Sequence, residues 1–248
     1  MPTERLDNLV AEREGITRSQ ARALIMEGRV RIDGEPGNKP GQNVRPGALV
    51  EVEKPRRFVS RGGEKLDHAL DAFGIDVTGL EALDVGASTG GFTDCLLQRG
   101  VAHVTAVDVG YGQLDWKLRT DPRVTVMERT NFRLMADDAF PDGFDLVVID
   151  TSFISLRTIV ARVVGYLRPE GAIVALVKPQ FEAGRDEVRK GVIRDPAVHA
   201  RVLEEVAQAA AAVGLARLGT DASPITGQKG NVEFLMHLRQ ANPPSANQ

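Results

Sequence analysis

The chain is poor in the features that mark secreted, metal-binding and membrane proteins. Its 248 residues include one cysteine, Cys95, so no disulfide can form within it, which suits a reducing compartment. The N-terminal residues "MPTERLDNLV" are charged from the start and lack the apolar core of a secretory signal. No apolar run approaches the ~20 residues that a membrane-spanning helix requires. These absences predict a cytoplasmic protein with neither a membrane nor a metal as partner.

An excess of charge of either sign is missing too. The net charge is -3 and 26% of the residues are charged, so the chain is neither a basic nucleic-acid tail nor a disordered acidic protein. RNA binding stays open, because a local stripe of basic residues is enough for it. The length is sufficient for one large domain and one small domain.

Residues 1–53 have the pattern of a small α+β module. Thr17 and Gln20 have the spacing of a capping box at the start of a helix. The segments "RVRID" and "ALVEVE" alternate between apolar and polar residues, as short strands do. Turn-forming residues separate these two segments, which favours a compact arrangement of helices and strands.

Basic residues gather on this module and directly after it. Arg18 and Arg22 are four residues apart and therefore share one face of the predicted helix. They form either a solvated basic surface or a stripe that contacts phosphate groups. Residues 54–63 predict a basic interdomain linker, which an RNA leaving the module would meet. The candidate RNA-binding residues are Arg5, Arg18, Arg22, Arg29, Arg56, Arg57 and Arg61.

The N-terminal module resembles the S4 RNA-binding domain along nearly its whole length. The opening "RLD", the run "SQARALIMEGRV" and the later "KPG" carry the resemblance. A domain of this kind implies binding to structured RNA, mainly through the shape and the backbone of that RNA. The resemblance does not identify which RNA is bound.

From residue 64 to residue 240 the pattern changes to alternating strands and helices. This alternation favours a parallel, doubly wound sheet with helices on both faces. Two final strand-like segments, "LARLGT" and "NVEFLMHLR", complete a Rossmann-like, seven-stranded methyltransferase sheet, and the polar tail 241–248 is expected to be disordered. The predicted strands cover residues 81–85, 103–109, 124–127, 145–150 and 172–178, and the predicted helices cover 64–73, 92–99, 113–119, 155–166 and 196–213.

A glycine-rich turn, "DVGASTGGFTD", follows the first strand of this second domain. Glycine lets the backbone approach a ligand closely and adopt a positive φ. Asp108 ends the next strand, where a carboxylate can hold the two hydroxyls of a ribose. Thr130 and Asn131 follow the third strand, at a position suited to contact with the edge of an adenine.

The spacing within the turn favours S-adenosylmethionine over a dinucleotide as the ligand. A dinucleotide fingerprint is G-x-G-x-x-G, whereas this chain has G-x-x-x-G-G. Asp84 before the turn and Asp94 after it would repel a pyrophosphate and attract an ammonium or sulfonium group. The predicted cofactor-binding residues are Asp84, Gly86, Ser88, Thr89, Gly90, Gly91, Asp108, Thr130 and Asn131.

Four ionisable residues are expected at the sheet edge that holds the cofactor. Asp150 and Lys178 follow fully apolar strands, where an ionisable side chain is costly unless it is paired or used. Glu233 begins the last strand, and Lys65 lies on the first helix of the domain. Methyl transfer to a ribose 2′-hydroxyl requires that its oxygen is held in line and that its proton is drawn away. The predicted catalytic residues are therefore Lys65, Asp150, Lys178 and Glu233.

The four residues are expected to play different roles. Lys178 is predicted to draw the proton from the hydroxyl, and Asp150 to place Lys178 between substrate and cofactor. Lys65 and Glu233 are predicted to orient the ribose. Taken singly, each has a structural alternative: Lys65 as a phosphate contact in the linker, Glu233 as a carboxylate in a turn, and Asp150 as a helix N-cap.

Residues 59–238 resemble the FtsJ-type ribose methyltransferases, which are known for a Lys-Asp-Lys-Glu tetrad. With the S4-like module in front, the whole chain resembles the TlyA/hemolysin A family. This resemblance implies an S-adenosylmethionine-dependent ribosomal RNA (cytidine-2′-O)-methyltransferase that acts on 16S rRNA, 23S rRNA or both, within ribosomal subunits. The chain departs from the family in the linker, where Phe58 stands in place of the tryptophan of R-x-W. The segments that carry the likeness are "SRGGEKL", "DVGASTGGFTD", "DTSFISL", "LVKPQFE", "KGVIRD" and "SPITGQKGNVEFL".

Three other functions compete with this interpretation. A hemolysin-like, membrane-active protein is opposed by the lack of a signal, of a spanning helix and of alternating barrel segments. A non-catalytic RNA-binding factor for ribosome assembly would not need all four residues of the tetrad. A base methyltransferase would have a cysteine nucleophile or an N-P-P-Y-type loop after the fourth strand, where this chain has "DTSF".

Overall fold

The computed structural model describes residues 3–53, 57–184, 186–188 and 190–241. The chain divides into two compact units, Met1–Arg56 and Arg57–Gln248. Residues 54–56 of the expected linker and residues 242–248 of the expected tail lie outside the described residues. Each unit has its own hydrophobic core, so each is described separately below.

The first unit combines two helices with two small antiparallel sheets. One sheet pairs β1 (Glu4–Arg5) with β4 (Asn43–Val44), and in the other β2 (Val30–Ile32) lies between β3 (Glu35–Pro36) and β5 (Val50–Val52). The helices are α1 (Leu6–Glu14) and α2 (Arg18–Met26). The buried core consists of Leu6, Val10, Ala21, Ile25, Val30, Val44 and Val50.

The predicted capping box at the start of α2 is confirmed. The Thr17 hydroxyl accepts a hydrogen bond from the Gln20 backbone N–H, and the Gln20 side-chain oxygen accepts one from the Thr17 backbone N–H. These bonds satisfy N–H groups that have no partner within the helix. Helix α2 ends before Gly28, whose φ of +71° is a left-handed conformation that glycine adopts without strain.

Seven strands form the central sheet of the second unit. They are β6 (Glu81–Val85), β7 (His103–Val107), β8 (Val124–Met127), β9 (Phe144–Ile149), β10 (Leu167–Val177), β11 (Leu215–Ala222) and β12 (Phe234–Gln240). Their order across the sheet is β11-β12-β10-β9-β6-β7-β8. Strand β12 runs antiparallel to both neighbours, and the remaining neighbouring pairs are parallel. The carboxyl ends of β6 to β10 therefore meet at one edge of the sheet, together with the start of β12.

Both faces of this sheet are buried. Adjacent residues of one strand, such as Leu146 and Val147, belong to two different hydrophobic clusters, because successive side chains point to opposite faces. The helices of the unit are α3 (Gly62–Phe73), α4 (Gly91–Gln98), α5 (Trp116–Arg119), α6 (Leu156–Val163), α7 (Pro179–Glu182) and α8 (Pro196–Ala211). Across the described ranges, no helix is both long enough and apolar enough to cross a membrane.

This architecture confirms the predicted class, a Rossmann-like, seven-stranded sheet preceded by a small α+β unit. Most elements differ from their predicted bounds by one to five residues, and two of these differences have a visible cause. The helix expected at 113–119 is only α5, because the Asp115 side chain accepts the Lys117 N–H and caps the helix at that point. The strand expected at 172–178 already begins at Leu167, and its early part is irregular, with Glu170 at a φ of +65°.

Residues 57–63, expected in the linker, belong to the second unit. Phe58 is buried, and three of its atoms lie 2.3–2.6 Å from the position that a Cβ at Gly63 would occupy. The Val59 backbone N–H donates a hydrogen bond of 2.8 Å to the Asp94 carboxylate. The aromatic residue that replaces the tryptophan of R-x-W is therefore packed in the core beside α3.

Candidate active site

Functional residues predicted from the sequence meet at the sheet edge where the parallel strands end. The antiparallel register places Phe234, the first residue of β12, opposite Val177, the last residue of β10. The residue before β12 therefore reaches the same edge as the residue after β10. In open α/β sheets, ligands bind in the crevice at this edge. The predicted site residues found here are Gly86, Asp108, Asp150, Lys178 and Glu233.

A cavity of about 360 Å³ opens at this edge. Its volume lies within the range of small-molecule sites. The catalytic candidate Asp150 contributes to its wall, whereas Asp84, Thr89, Gly90 and Gly91 do not. The predicted cofactor-binding residues that line it are Gly86, Ser88, Asp108, Thr130 and Asn131.

Gly86 allows the two loops at the base of the cavity to approach each other. Its φ is +89°, and a Cβ at this position would lie 2.7 Å from the Asp150 carbonyl oxygen. The same Cβ would lie 3.2 Å from a methyl carbon of Thr151. A side chain at position 86 would therefore strain the backbone and push the loops after β6 and β9 apart.

The end of the glycine turn connects it to neighbouring segments instead of lining the cavity. A Cβ at Gly90 would lie 2.2 Å from Leu118, and one at Gly91 would lie 2.2 Å from the Ser60 hydroxyl. The Thr89 carbonyl accepts a hydrogen bond of 3.2 Å from the backbone N–H of Asp115. These two glycines are therefore needed for the close packing of α4 against α5 and the start of α3.

Asp108 is held in a fixed orientation on the cavity wall. Its carboxylate accepts hydrogen bonds from the backbone N–H groups of Ser88, at 2.8 Å, and Gly110, at 2.6 Å. An ionised carboxylate has about four lone-pair sites, so further donors can still bind. Two adjacent ribose hydroxyls are donors of the right kind for the remaining sites.

Asp84 is fully buried beneath the turn. One carboxylate oxygen accepts hydrogen bonds from the Thr93 backbone N–H, at 3.0 Å, and the Thr93 hydroxyl, at 2.7 Å. No group in the described part of the chain hydrogen-bonds to the other oxygen, Oδ1. Burial raises the pKa of Asp84 to about 7; the hydrogen bonds from Thr93 oppose this rise, and the charge of Asp150 adds to it. A buried carboxylate with a free oxygen suits a cationic ligand group.

Asp94, in contrast, is fully occupied by partners within the chain, which corrects the expectation that it attracts the cofactor. Its carboxylate is occupied by the Val59 N–H at 2.8 Å, the Lys117 ammonium at 3.0 Å and the Gln98 amide at 3.1 Å. It is buried and is not part of the cavity wall. The acid fixes the segment before α3 to α4, so its spacing after the turn reflects packing.

The four predicted catalytic residues form two ion pairs. Lys65 and Glu233 approach to 2.5 Å, although they are 168 residues apart in sequence. Lys178 and Asp150 also approach to 2.5 Å. Both ammonium groups are largely buried, which makes each lysine depend on its carboxylate partner.

The surroundings of Asp150 and Lys65 exclude the purely structural roles that the sequence left open for them. Asp150 is not the N-cap of α6, because Ser155 occupies that position and Glu182 accepts the N–H of Leu156. Lys65 is buried against Glu233 and is not an exposed phosphate contact in a linker.

Two polar residues beside the ion pairs were missed by the sequence interpretation. The Ser152 hydroxyl accepts a hydrogen bond of 3.0 Å from the Lys178 ammonium. The Gln180 amide lies 3.5 Å from the second oxygen of Glu233. Both follow a catalytic candidate by two positions, in "DTS" and "KPQ", which was the available signal.

Phe153 was also missed. It lines the cavity, 87% of its surface is exposed, and its φ of +64° is unusual for a bulky residue. Its ring centroid lies 5.0 Å from that of Phe181. A strained, exposed aromatic residue at the mouth of a cavity is a feature that stability alone does not explain.

The arginines predicted to bind RNA through the first unit have different surroundings. Arg5 and Arg18 both bind the buried carboxylate of Asp7, each at 3.0 Å. Their hydrogen bonds, that of Arg5 most of all, lower the pKa of Asp7 to about 2. Arg29 donates to the backbone carbonyl of Glu53. Arg22 is exposed and forms no ion pair with any described residue.

The arginines predicted near the linker also differ in whether they have an acidic partner. Arg57 forms an ion pair of 2.5 Å with Asp67 on α3, so a phosphate group would have to share it. Arg61 is exposed and has no acidic partner within the described ranges. Arg56 lies outside the described residues. The described residues also contain no cluster of three or more His, Cys, Asp or Glu side chains suited to a metal ion.

Comparisons with known families agree with this division into two units. Residues 58–240 match the model of the FtsJ-like methyltransferases. Residues 4–50 match the model of the S4 domain. The first match covers the sheet, the cavity and both ion pairs.

Individual proteins resemble the chain over nearly its full length. It is 50% identical to the 16S/23S rRNA (cytidine-2′-O)-methyltransferase TlyA of Mycobacterium tuberculosis, over 92% of this chain and 87% of that protein. It is 40% identical to hemolysin A of Brachyspira hyodysenteriae, over 94% of this chain and 99% of that protein. A solved structure from Streptococcus thermophilus superimposes with a TM-score of 0.76 and 44% identity, over 98% of this chain and 90% of that one.

Proposed function

Because the chain belongs to the FtsJ-like methyltransferases of the TlyA/hemolysin A family, we propose that it methylates the ribose 2′-oxygen of cytidines in ribosomal RNA. S-adenosylmethionine is the methyl donor in this proposal. The observation that carries it is the two buried lysine–carboxylate contacts at the edge where strands β6 to β10 end, one of which reaches the cavity wall through Asp150. The base identity and the 16S/23S rRNA substrate come from the name of the relative that is 50% identical.

The residues around the cavity fit the proposed donor. Asp108 on the cavity wall has remaining acceptor sites that suit the ribose hydroxyls of the donor. Asp84 lies beneath the turn and outside the wall, and its Oδ1, which has no partner among the described residues, suits the ammonium group. Gly86 lets the loop after β9 pack closely against the loop after β6, which brings Asp150 to the cavity wall. When bound, S-adenosylmethionine supplies an electrophilic methyl group on a sulfonium.

In this proposal the residues of the two ion pairs bind and orient the ribose of the RNA. The Lys178 ammonium forms an ion pair with Asp150 and donates a hydrogen bond to the Ser152 hydroxyl, and in this proposal it offers a further N–H group to the 2′-oxygen. Lys178 thereby holds this oxygen in place. After it passes one of its own protons to the adjacent Asp150 carboxylate, the neutral amine accepts the proton of the hydroxyl, while Lys65 and Glu233 orient the ribose. Such positioning of the attacking atom is the main requirement of an in-line transfer. The exposed ring of Phe153 offers a stacking surface for a base that has left its duplex.

A test of the donor site uses Asp108. Replacement by Ala removes the acceptors for the ribose hydroxyls, and we expect the affinity for S-adenosylhomocysteine to fall roughly tenfold or more, since hydrogen bonds to a charged group contribute about 1.5–3 kcal/mol. Isothermal titration calorimetry measures this change. Asp121→Ala, which removes a half-buried partner of Arg123 outside the cavity wall, is the matched control and should leave the affinity unchanged. Equal affinities for Asp108→Ala and the wild type would remove Asp108 from the site.

A test of the RNA-binding face uses Arg22. Because this side chain is exposed without an ion pair among the described residues, Arg22→Ala should lower RNA affinity without changing the thermal midpoint. We expect the slope of log K against log salt to decrease by about 1, as for one lost phosphate contact. Arg18→Ala is less specific, because it also takes one partner from the buried Asp7. An unchanged salt slope for Arg22→Ala would leave Arg22 as part of a solvated surface.

The substrate is tested by mapping 2′-O-methylated nucleotides in ribosomal RNA from cells with and without the gene. Resistance of the 3′-phosphodiester to alkaline cleavage identifies each modified ribose. We expect at least one cytidine in 16S or 23S rRNA to lose its mark when the gene is absent. Identical maps in the two strains would contradict the proposal of a ribosomal RNA substrate.

A further inference from the structure

Large apolar side chains are exposed on the loops that surround the cavity. Tyr111, on the loop after β7, and Trp116, the first residue of α5, expose 68% and 73% of their surfaces, and Leu134, after β8, exposes 79%. None of these three lines the cavity, so the proposed cofactor does not account for them. Exposed apolar side chains that cluster around a site mark an interaction surface.

The segment between β7 and β8, which carries both aromatic residues, is held in place by hydrogen bonds. The Gly112 N–H donates to Glu128 at 2.8 Å, and the Arg129 N–H donates to the Gly110 carbonyl at 2.9 Å. The Asp115 N–H donates to the carbonyl of Thr89, within the glycine-rich turn. The two aromatic side chains are thus presented by an ordered segment whose position is tied to the cofactor-binding turn.

The charge around these side chains is positive, in a chain of net charge -3. Residues 109–134 contain five basic and three acidic side chains. The acids are already engaged, Glu128 by Arg119, Asp121 by Arg123, and Asp115 as the cap of α5. Arg129 and Arg133 are exposed and have no acidic partner within the described ranges.

One of these arginines is already combined with an aromatic ring. The Arg129 guanidinium lies 4.1 Å from the centroid of the Tyr111 ring, which is a cation–π arrangement. Flat aromatic surfaces and free arginines together suit a partner that is both anionic and rich in π-systems. An unpaired RNA strand has this combination, because its bases are free to stack and its phosphates are charged.

We propose that Trp116 and Tyr111 form a stacking platform for unpaired nucleotides that flank the methylated one. The proposal rests on the proposed function, because it assigns part of the same RNA to a surface outside the cavity. It implies that the methyltransferase unit recognises a locally single-stranded segment. Stacking accepts every base, so the platform contributes affinity and positions the target without reading its sequence.

Trp116 is the only tryptophan of the chain, so intrinsic fluorescence reports on the platform directly. The full-length protein, saturated with S-adenosylhomocysteine, is titrated with a single-stranded ribosomal RNA oligonucleotide and with the same sequence in a duplex. We expect the single strand to quench the emission about twofold and the duplex to cause little change. Quenching by the duplex equal to that by the single strand overturns the proposal.

Variants separate the platform from the catalytic residues. Trp116→Ala should raise the KM for RNA roughly tenfold, while kcat and the affinity for S-adenosylhomocysteine stay within about twofold of the wild type. Trp116→Phe keeps an aromatic face and should restore most of the loss. Leu218→Ala, an exposed apolar residue on β11, is the matched control and should have no effect on KM.

The outcomes distinguish this proposal from the proposed function. Methyl transfer with an unchanged fluorescence on RNA binding, or with a wild-type KM for Trp116→Ala, refutes the platform and leaves the function intact. Strong quenching by single-stranded RNA without methyl transfer supports the platform and contradicts the function. The fluorescence titration uses the wild-type protein, so it decides the question even if a variant does not fold.

Discussion

Lys178→Met is expected to reduce methyl transfer at least ~10³-fold, the largest effect of any single substitution considered. The change keeps most of the aliphatic volume but removes the ammonium that faces Asp150 at 2.5 Å and Ser152 at 3.0 Å. Without it, no group is left to hold the 2′-oxygen and draw on its proton, and such groups contribute about 10²–10⁴-fold. The measurement is single-turnover transfer of a labelled methyl group to ribosomal RNA.

Binding measurements show whether the loss of activity arises in the chemical step or in substrate binding. Because Lys178 is proposed to act on the reacting oxygen, the affinities of Lys178→Met for RNA and for S-adenosylhomocysteine should stay within about threefold of the wild type. A variant that loses RNA binding together with activity would assign Lys178 to substrate binding. A variant that retains more than a tenth of the wild-type rate would exclude it from the chemical step.

Asp84→Asn is expected to weaken the binding of S-adenosylhomocysteine by about two orders of magnitude and, at the same time, to stabilise the protein. The variant loses the buried negative charge that is proposed to bind the ammonium group of the ligand, but it keeps an oxygen for the two hydrogen bonds from Thr93. The folded wild type carries a penalty for this charge, because burial raises the pKa of Asp84 from 3.8 to about 7. A rise of roughly three pKa units corresponds to about 4 kcal/mol.

Part of this gain in the free energy of unfolding is offset, because the new amide N–H group replaces a buried oxygen that has no partner among the described residues. An unsatisfied buried donor costs about 1–3 kcal/mol, which leaves a net stabilisation of about 2 kcal/mol. For a unit of this size, this corresponds to a rise of ~5 °C in the thermal midpoint, measured by differential scanning calorimetry without ligand.

The stabilisation depends on pH in a defined direction. Above pH 7 the Asp84 carboxyl is ionised in both the folded and the unfolded protein, so the wild type carries the full penalty. As the pH falls from about 7 to 3.8, the folded protein takes up a proton first and the penalty is relieved. The advantage of Asp84→Asn should therefore be largest at pH 8 and shrink markedly by pH 5.

Asp94→Asn is the matched control for this experiment. Asp94 is also buried and lies on the same helix as Thr93, but its oxygens are paired with Val59, Gln98 and Lys117. Its replacement should leave ligand affinity unchanged and should not stabilise the protein. If Asp84→Asn binds the ligand as tightly as the wild type does, the ammonium group is not held by Asp84.

The sequence was informative about the site wherever a residue's place depends on the strand pattern. Asp150, Lys178 and Glu233 flank apolar strands, and parallel strands bring their carboxyl ends to one edge, so their convergence follows from the alternation of elements. The capping box of α2 depends only on residues three positions apart, and it too was predictable. Local spacing and strand direction were sufficient in these cases.

Other features depend on contacts between distant segments, which the pattern does not contain. Asp94 has the spacing of a ligand-binding acid, yet it pairs with Val59, 35 residues earlier. Arg5 and Arg18 look like free basic residues until their shared partner Asp7 is seen. The positive φ of Phe153 has no sequence signal, because a turn of this kind would favour glycine.

The central claim is that the chain transfers a methyl group to a ribose oxygen of RNA. Its most direct test incubates the purified protein with ribosomal subunits and S-adenosylmethionine labelled in its methyl group. The RNA is then digested to nucleosides, which are identified by mass spectrometry. The expected product is 2′-O-methylcytidine that carries the label, and it should be absent with Lys178→Met. Label on a nucleobase, or no labelled nucleoside from RNA that the protein binds, would contradict the claim.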